Sequence, residues 1–179
     1  AYDPVMPHEL HLAHDSVRLR PLTPDDAPAL RAIVDAAAWA GMSTPLPETD
    51  EAMAEHLRTL LAVPGMQAFA VERDGELVGR TAFYEHVPRV RVDVGHTIYA
   101  RPYWGTEVNP ACKLLLLRHA FEELGVARVG LRCDHRNTRS RGHEDRIVEV
   151  SWAICETRCW NPASRHRSAV IRYITDSGG

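Results

Sequence analysis

The hydrophobic pattern changes from a helical to an alternating period near residue 67, and this change most constrains the fold. Between about residues 24 and 62 the apolar residues recur at helical spacing, whereas from Gln67 they alternate with their neighbours as in a β-strand. Asp74-Gly75 lies within the alternating stretch and is a strong signal for a two-residue hairpin turn. The sequence therefore predicts an antiparallel meander of three strands, with returning strands at residues 76–85 and 89–99.

One strand and two helices are predicted before the meander. The stretch VRLRP, residues 17–21, indicates a short first strand. Thr23 and Pro24, followed by two acids, mark the start of a helix whose apolar face extends to Ala37. A second helix is predicted from about Asp50 to Ala62, because the Val-Pro-Gly that follows is a strong stop signal.

After the meander, a loop, a helix and a strand are predicted to form a crossover. Asn109 is expected to cap the helix, Pro110 to be its first residue and Gly125 to end it, with a strand following at residues 128–134. Loop amides and the helix N-terminus then meet near residues 105–111, an arrangement that favours a phosphate.

Lys113 in the first turns of this helix has two interpretations. A cation there slightly destabilises an isolated helix but favours a bound anion. The residue is therefore either part of a phosphate site or a solvated surface lysine.

Composition excludes several classes of protein. With 45% apolar residues, 25% charged residues and a net charge of −3, the chain is neither disordered nor suited by its charge to nucleic acid. There is no apolar run of the roughly 20 residues that a membrane span needs and no signal-peptide layout, so we expect a cytoplasmic protein without membrane contact. The four cysteines are expected to be free thiols, and His8, His11 and His14 match no metal pattern.

Several motifs in consecutive order resemble one enzyme superfamily. The stretch VGHTIYARPYWGTEVNPACKLLLLRHAFEELGVARVGLRCDHRNTRS, the opening VRLRPLTPDDAPAL and the hairpin ERDGELVG are similar to the GNAT-type N-acetyltransferases, in the branch that resembles ribosomal-protein-alanine acetyltransferases. The resemblance covers roughly residues 16–140. It implies an α/β (α+β) fold, with a mixed, mostly antiparallel sheet of about six to seven strands, flanked by helices and splayed to receive acetyl-CoA. It also implies a single N-acetyltransferase domain over residues 16–179, after an N-terminal extension of residues 1–15.

The resemblance assigns the acetyl-CoA contacts. The family's pyrophosphate loop, Q/R-x-x-G-x-G/A, falls on Pro102 to Glu107, where Gly105 matches and both end residues depart from the pattern. A carboxylate facing a pyrophosphate would be repulsive, so we expect the Glu107 side chain to point away while its N–H donates. The backbone of the strand before the loop and an N-x-x-S motif would hold the pantetheine arm. The implied contacts are Ile98, Tyr99, Trp104, Gly105, Thr106, Glu107, Val108, Asn109, Asn137 and Ser140.

The catalytic residues implied by the resemblance are less complete. Asp93 occupies the position of the family's general base, although an ion pair with Arg89 or Arg91 is an equally open interpretation. The tyrosine that usually acts as the general acid in this family has no match, since Glu144 stands near its place. Ser140 is therefore the candidate acid. A backbone N–H near Tyr99 would serve as the oxyanion donor. His96 is expected to be a packed or surface imidazole.

The resemblance fades between residues 140 and 167. No Leu-Gly turn of the family is found there, although alternation at residues 148–155 still predicts a strand and the ending SAVIRYITDSGG is similar to the family's last strand. A divergent tail and a compensated reading-frame error are both open hypotheses, which resequencing the gene would separate.

The resemblance implies an acetyl-CoA-dependent enzyme that acetylates a primary amine by direct attack in a ternary complex, with no metal. A protein N-terminus is the first candidate acceptor. The alternatives are a small amine, such as a polyamine, an amino acid or an antibiotic, and a non-catalytic acyl-CoA-binding module. Related proteins often dimerise through the terminal hairpin, so a homodimer is an open alternative to a monomer.

Overall fold

The residues that the structure describes form one seven-stranded sheet, whose strands are ordered in space as they are along the chain. The computed structural model describes residues 8–40, 42, 44–131 and 170–171. The strands are β1 Leu12–His14, β2 Val17–Pro21, β3 Gln67–Arg73, β4 Glu76–Val87, β5 Arg91–Tyr99, β6 Arg128–Leu131 and β7 Val170–Ile171. The α-helices are α1 Ala27–Ile33, α2 Ala36–Trp39, α3 Asp50–Leu61 and α4 Val108–Arg118.

The direction of pairing changes at β5. Strands β1 to β5 pair with their neighbours in antiparallel fashion, whereas β5 pairs with β6, and β6 with β7, in parallel. Asp74 and Gly75 both have positive φ, 53° and 87°, as the predicted two-residue turn between β3 and β4 requires. The mixed sheet, the meander and the crossover through α4 are confirmed.

Helices cover both faces of the sheet. Phe69 and Val71 of β3 pack in the cluster that contains the apolar side of α4. Ala68 and Ala70 alternate with them and pack in the opposite cluster, which contains the buried side chains of α1, α2 and α3. Small side chains on this second face let those helices lie close to the sheet.

The first predicted helix is divided into separate segments. A 3-10 turn at Pro24–Asp26 leads into α1, Val34 is extended, and α2 then begins after Asp35. The Asp35 carboxylate accepts a hydrogen bond from the Ala38 N–H at 2.8 Å, so it caps a new helix rather than continuing the old one. The prediction of one helix through Ala37 was wrong because this cap was not recognised.

The boundaries of α4 also differ from the prediction. The helix begins at Val108 with Glu107 at its N-cap, so Asn109 is not the capping residue. Its last turn, His119–Glu123, is a π-helical turn in which the Leu124 N–H donates to the His119 carbonyl at 3.0 Å. Gly125, with a φ of 63°, ends the segment as predicted.

Other predictions are confirmed in part or lie outside the described residues. Helix α3 ends one residue before the predicted limit, and β5 begins at Arg91 rather than residue 89 because Arg89 lies in the left-handed region. Val170–Ile171 forms a strand, as the ending predicts, whereas the strand at 148–155 lies outside the described residues. Strand β1 was not predicted, and the domain limits at residues 15 and 16 stay predictions. Among the residues described, no helix is long and apolar enough to cross a bilayer.

A partly buried ion pair joins β2 to the 3-10 turn before α1. Arg20 of β2 donates to both carboxylate oxygens of Asp26, at 2.6 and 3.0 Å, and to Glu72 of β3 at 2.6 Å. The Thr23 N–H also donates to Asp26, at 2.9 Å. Burial alone would raise the pKa of Asp26, but these hydrogen bonds outweigh it and lower the pKa below its ordinary value.

The pair predicts a pH-dependent loss of stability. Because the folded-state pKa of Asp26 is depressed, its contribution is present above the ordinary carboxyl pKa and is lost as pH falls through the folded-state value. We expect Asp26→Asn to lower the free energy of unfolding by about 2 kcal/mol at pH 7, since it leaves a partly buried guanidinium less well paired. Urea denaturation at pH 7, 5 and 3.5 measures this. A difference between the two proteins that does not shrink at the lowest pH would contradict the assignment.

Candidate active site

A loop and a helix N-terminus follow β5 as the sequence predicts. The chain makes a 3-10 turn at Arg101–Tyr103, passes through Gly105 with a φ of 74° and enters α4. The first helical hydrogen bond joins the Ala111 N–H to the Glu107 carbonyl at 2.9 Å, so the N–H groups of the preceding first turn have no carbonyl partner within the helix. Of these residues, Val108 donates its N–H to the Thr106 hydroxyl at 3.4 Å and Pro110 has no N–H, so the feature that favours an anion here is the positive end of the helix dipole.

Glu107, at the N-cap of α4, forms an ion pair with Arg73 of β3. Its carboxylate lies 2.8 Å from the guanidinium of Arg73 at the end of β3, and the same guanidinium lies 5.7 Å from the centre of the Tyr103 ring. The negative charge in the loop is therefore compensated by Arg73, whose partnership with residue 107 was not indicated by the sequence.

Strand β5 carries a bulge next to this loop. Gly95 pairs with Ala82 and Ile98 with Arg80, so β5 has one extra residue in this interval, and His96 has a φ of 52°. The pairing with β6 that the structure describes covers Arg91 to Val94. The bulge therefore lies where β5 leaves its described parallel partner.

The end of β5 is bonded on both edges. The Ala100 N–H donates to the Val78 carbonyl at 2.9 Å, and the Tyr99 carbonyl accepts from Trp104 Nε1 at 2.8 Å. Tyr99 also buries its hydroxyl beside the Cys112 thiol. Burial raises the pKa of Tyr99 well above its ordinary value and that of Cys112 to about 11, so both groups stay protonated near neutral pH.

Asp93 lies on the face of the sheet that α1 to α3 cover. Its neighbours Val92 and Val94 pack in the cluster around α4, so alternation directs Asp93 to the other face. Only 3% of the residue is exposed. Arg91 lies 3.8 Å from its carboxylate but only 3.0 Å from Glu85, so the ion pair with Asp93 is the weaker one. Gly130 of β6 makes room for the carboxylate, since a Cβ there would lie 2.5 Å from Oδ1.

A second polar cluster on this face contains Arg80, which the sequence analysis missed. Arg80 is 1% exposed, and its Nη2 lies 3.3 Å from Nε2 of His56 on α3. Its guanidinium carbon lies 5.7 Å from the centre of the Trp39 ring of α2. The sequence signal was an arginine in the apolar strand VGRTAF, where a charge is uncommon.

The cluster lowers the proton affinity of its histidines. Burial and then the charge of Arg80 lower the pKa of both His56 and His96 below its ordinary value. His96, on the bulge, also packs edge-on against Tyr84, with ring centres 5.2 Å apart. Both imidazoles are therefore neutral near pH 7, and His96 is a packed side chain, as one of the sequence interpretations has it.

The family whose sequence pattern matches the chain decides its class. The Acetyltransferase (GNAT) domain matches residues 16–146, well over half of the protein. The chain belongs to the GNAT acetyltransferase family. Enzymes of this family use acetyl-CoA. The family resemblance described above implies that the loop and the N-terminus of α4 bind its pyrophosphate.

Solved structures of other acetyltransferases have a fold similar to that of this GNAT domain. A T. thermophilus protein assigned as an acetyltransferase is 34% identical, with a TM-score of 0.72, over 77% of this chain and 74% of that one. A Chromobacterium violaceum ATCC 12472 protein assigned to the GNAT family is 25% identical, with a TM-score of 0.72, over 78% and 73%. RimL, ribosomal L7/L12 alpha-N-protein acetyltransferase in complex with Coenzyme A, shares the fold at 17% identity and a TM-score of 0.62, over 74% and 79%. A search of the curated proteins found no match.

Lys113 is not the solvated surface residue of one interpretation, and its part in a phosphate site stays a prediction. It is 7% exposed, which excludes a solvated surface lysine. Its ammonium lies 3.5 Å from the Thr97 hydroxyl of β5, which itself lies 2.9 Å from the Thr81 hydroxyl. The cation thus lies against β5 beside the bulge.

The remaining predicted contacts fall into two groups. Trp104, Gly105 and Thr106 lie between β5 and α4, whereas Val108 and Asn109 begin α4, where the Asn109 Oδ1 is buried without a partner among the described residues. Asn137, Ser140 and Glu144 lie outside the described residues. Within the described ranges no group of three or more His, Cys, Asp or Glu side chains is arranged to hold a metal ion.

The ion pair at the loop predicts how CoA affinity responds to charge. Glu107→Gln removes a negative charge from the anion site and frees Arg73, so we expect CoA to bind about three- to tenfold more tightly at low salt, with a smaller gain at high salt. Isothermal titration calorimetry measures this. Glu51→Gln, the same change on the exposed side of α3, serves as the control. Unchanged or weaker binding by Glu107→Gln alone would show that CoA phosphates do not bind near this residue.

Proposed function

We propose that the protein is an acetyl-CoA-dependent N-acetyltransferase that transfers the acetyl group to a primary amine. The observation that carries the proposal is the bulge of β5 next to the N-terminus of α4 in a GNAT sheet. A strand end and a helix N-terminus next to each other support this proposal, as does the buried carboxylate of Asp93 on the same strand.

The donor half of the site uses the loop and the end of β5. The pyrophosphate would bind to the backbone from Trp104 to Asn109, and the pantetheine arm would lie along Ile98 and Tyr99. Because Trp104 already donates to the Tyr99 carbonyl, the arm would bond to the remaining groups of β5 or displace the indole. Asn137 and Ser140 would contact the same arm, as the family resemblance implies.

The reaction needs no covalent enzyme intermediate. The neutral amine attacks the thioester carbon, the C–S bond breaks after a tetrahedral intermediate, and the amine proton passes to a base while the CoA thiolate takes up a proton. We assign the base to Asp93 and the oxyanion donor to a backbone N–H near Tyr99. Ser140 is the proposed proton donor to the thiolate.

The acceptor would enter from the face that holds Asp93. This face carries α1 to α3, and its polar cluster lies next to the bulge. A protein N-terminus and a small amine both contain the amine that the chemistry needs. The likeness to RimL, at 17% identity, concerns the fold alone.

A thiol-release assay tests the proposed activity. Acetyl-CoA is supplied with a panel of small amines and peptides with free N-termini, and release of CoA is followed together with the mass of the acceptor. We expect a mass gain of one acetyl group on an amine. CoA binding without acetylation of any acceptor would favour the acyl-CoA-binding module instead.

The assignment of the base predicts a selective loss of rate. We expect Asp93→Asn to lower kcat by about 10²-fold or more while the KM for acetyl-CoA changes little, since general-base catalysis typically contributes about 10² to 10⁴-fold. His96→Gln separates the alternative, because His96 is neutral and next to the bulge. A loss of rate in the His96 variant and not in the Asp93 variant would move the base to the imidazole.

A further inference from the structure

We propose that the amine acceptor carries a carboxylate, as an amino acid does, and that the guanidinium of Arg80 binds this carboxylate. The inference rests on the proposed acetyltransferase function and names the substrate class of that site. It starts from an unusual feature of the sheet, namely a buried arginine for which the described residues supply no anion.

The donors of Arg80 are largely unused. The Nε and Nη1 groups are buried and have no hydrogen-bond partner among the residues described. The third nitrogen, Nη2, is shared between Met42 Sδ at 3.6 Å and His56 Nε2 at 3.3 Å, both of which are neutral groups. Leaving a buried cation unpaired is costly, so such a group indicates a missing anionic partner.

Every described element around Arg80 presents neutral or aromatic groups to it. Helix α2 contributes Trp39, α3 contributes His56, and β5 contributes His96. The two buried carboxylates that the structure describes on this side, Asp26 and Asp93, lie against other arginines, Arg20 and Arg91. Burial lowers the pKa of Arg80 to about 10, which still leaves it protonated at neutral pH.

The charge of the cluster fits a monoanion. The lowered pKa values of His56 and His96 leave one positive charge at pH 7, that of Arg80. A carboxylate matches this charge, whereas a phosphate with nearly two negative charges would bury an uncompensated charge. Guanidinium donors and carboxylate oxygens also form strong charge-assisted hydrogen bonds.

The position of the cluster suits an acceptor. Arg80 pairs with Ile98 across the two strands, next to the bulge where the acetyl group would lie. Its charge is close enough to His96 to lower the pKa of that imidazole. An amine bound near the bulge could therefore place its carboxylate on Arg80. Met42, a flexible and partly exposed thioether against Nη2, is the side chain that the carboxylate would displace.

Matched acceptors test the inference. The protein amino acids are supplied with acetyl-CoA, each as the free acid and as the carboxamide, and kcat/KM is measured for both. We expect at least one amino acid to be acetylated tenfold or more faster than its amide by the wild-type protein. Arg80→Met should abolish this preference. Arg58→Met, on the exposed side of α3, is the control that should retain it.

Stability gives a second reading of the same variant. Because Arg80→Met removes a buried charge without a described partner, we expect its urea midpoint to equal or exceed that of the wild type. A merely structural arginine would instead give a lower midpoint. If Arg80→Met does not fold, Arg80→Gln replaces it, and the comparison of acids with amides on the wild type still decides the inference.

The outcomes separate this inference from the proposed function. Acetylation of amines with no preference for a carboxylate would overturn the inference and sustain the acetyltransferase. If no amine is acetylated, the N-acetyl amino acids and their amides are compared as ligands by thermal shift. Stabilisation by the acids alone, lost in Arg80→Met, would sustain a carboxylate site without the activity, and equal or absent shifts would overturn it.

Discussion

Strand β5 has an antiparallel neighbour on one edge and a parallel neighbour on the other, and the site depends on this difference. Two ladders with different hydrogen-bond spacing share the first half of this strand, and the bulge at His96 lies within the antiparallel ladder, just beyond the described parallel one. The bulge adds one residue to β5 relative to β4. Beyond the bulge the strand continues to Tyr99, and the chain then enters the loop and α4.

Features that depend on residues close together along the chain could be predicted from the sequence. Alternation, the Asp74-Gly75 turn and the terminator Gly125 predicted the meander and the crossover, because each depends on local backbone preferences. The loop was placed correctly for the same reason. The split of the first helix was missed, since a cap at Asp35 and a continuing helix differ by one hydrogen bond that propensity does not resolve.

The contacts of individual side chains were less predictable from the sequence than the helices and strands. The position of Lys113 in the sequence predicted only that it lies in the first turns of the helix. In the structure its long side chain reaches β5, where the ammonium is buried. The partner of Glu107 comes from residue 73, and the neighbours of Arg80 come from α2, α3 and β5. Such contacts join residues far apart along the chain, so only the packed layers reveal them. The assignment of Asp93 as base and the contacts of Ser140 stay predictions.

Asp35 also links the two halves of the site. Besides capping α2, its carboxylate pairs with Arg101, the first residue of the turn that leads into the phosphate loop. Helix α2, which carries Trp39, and the loop that is proposed to bind acetyl-CoA are thus joined by an exposed ion pair. Because an exposed pair of this kind contributes little and is screened by salt, it can transmit only a small change in affinity from one substrate to the other. Through this link the two substrates would bind almost independently of one another.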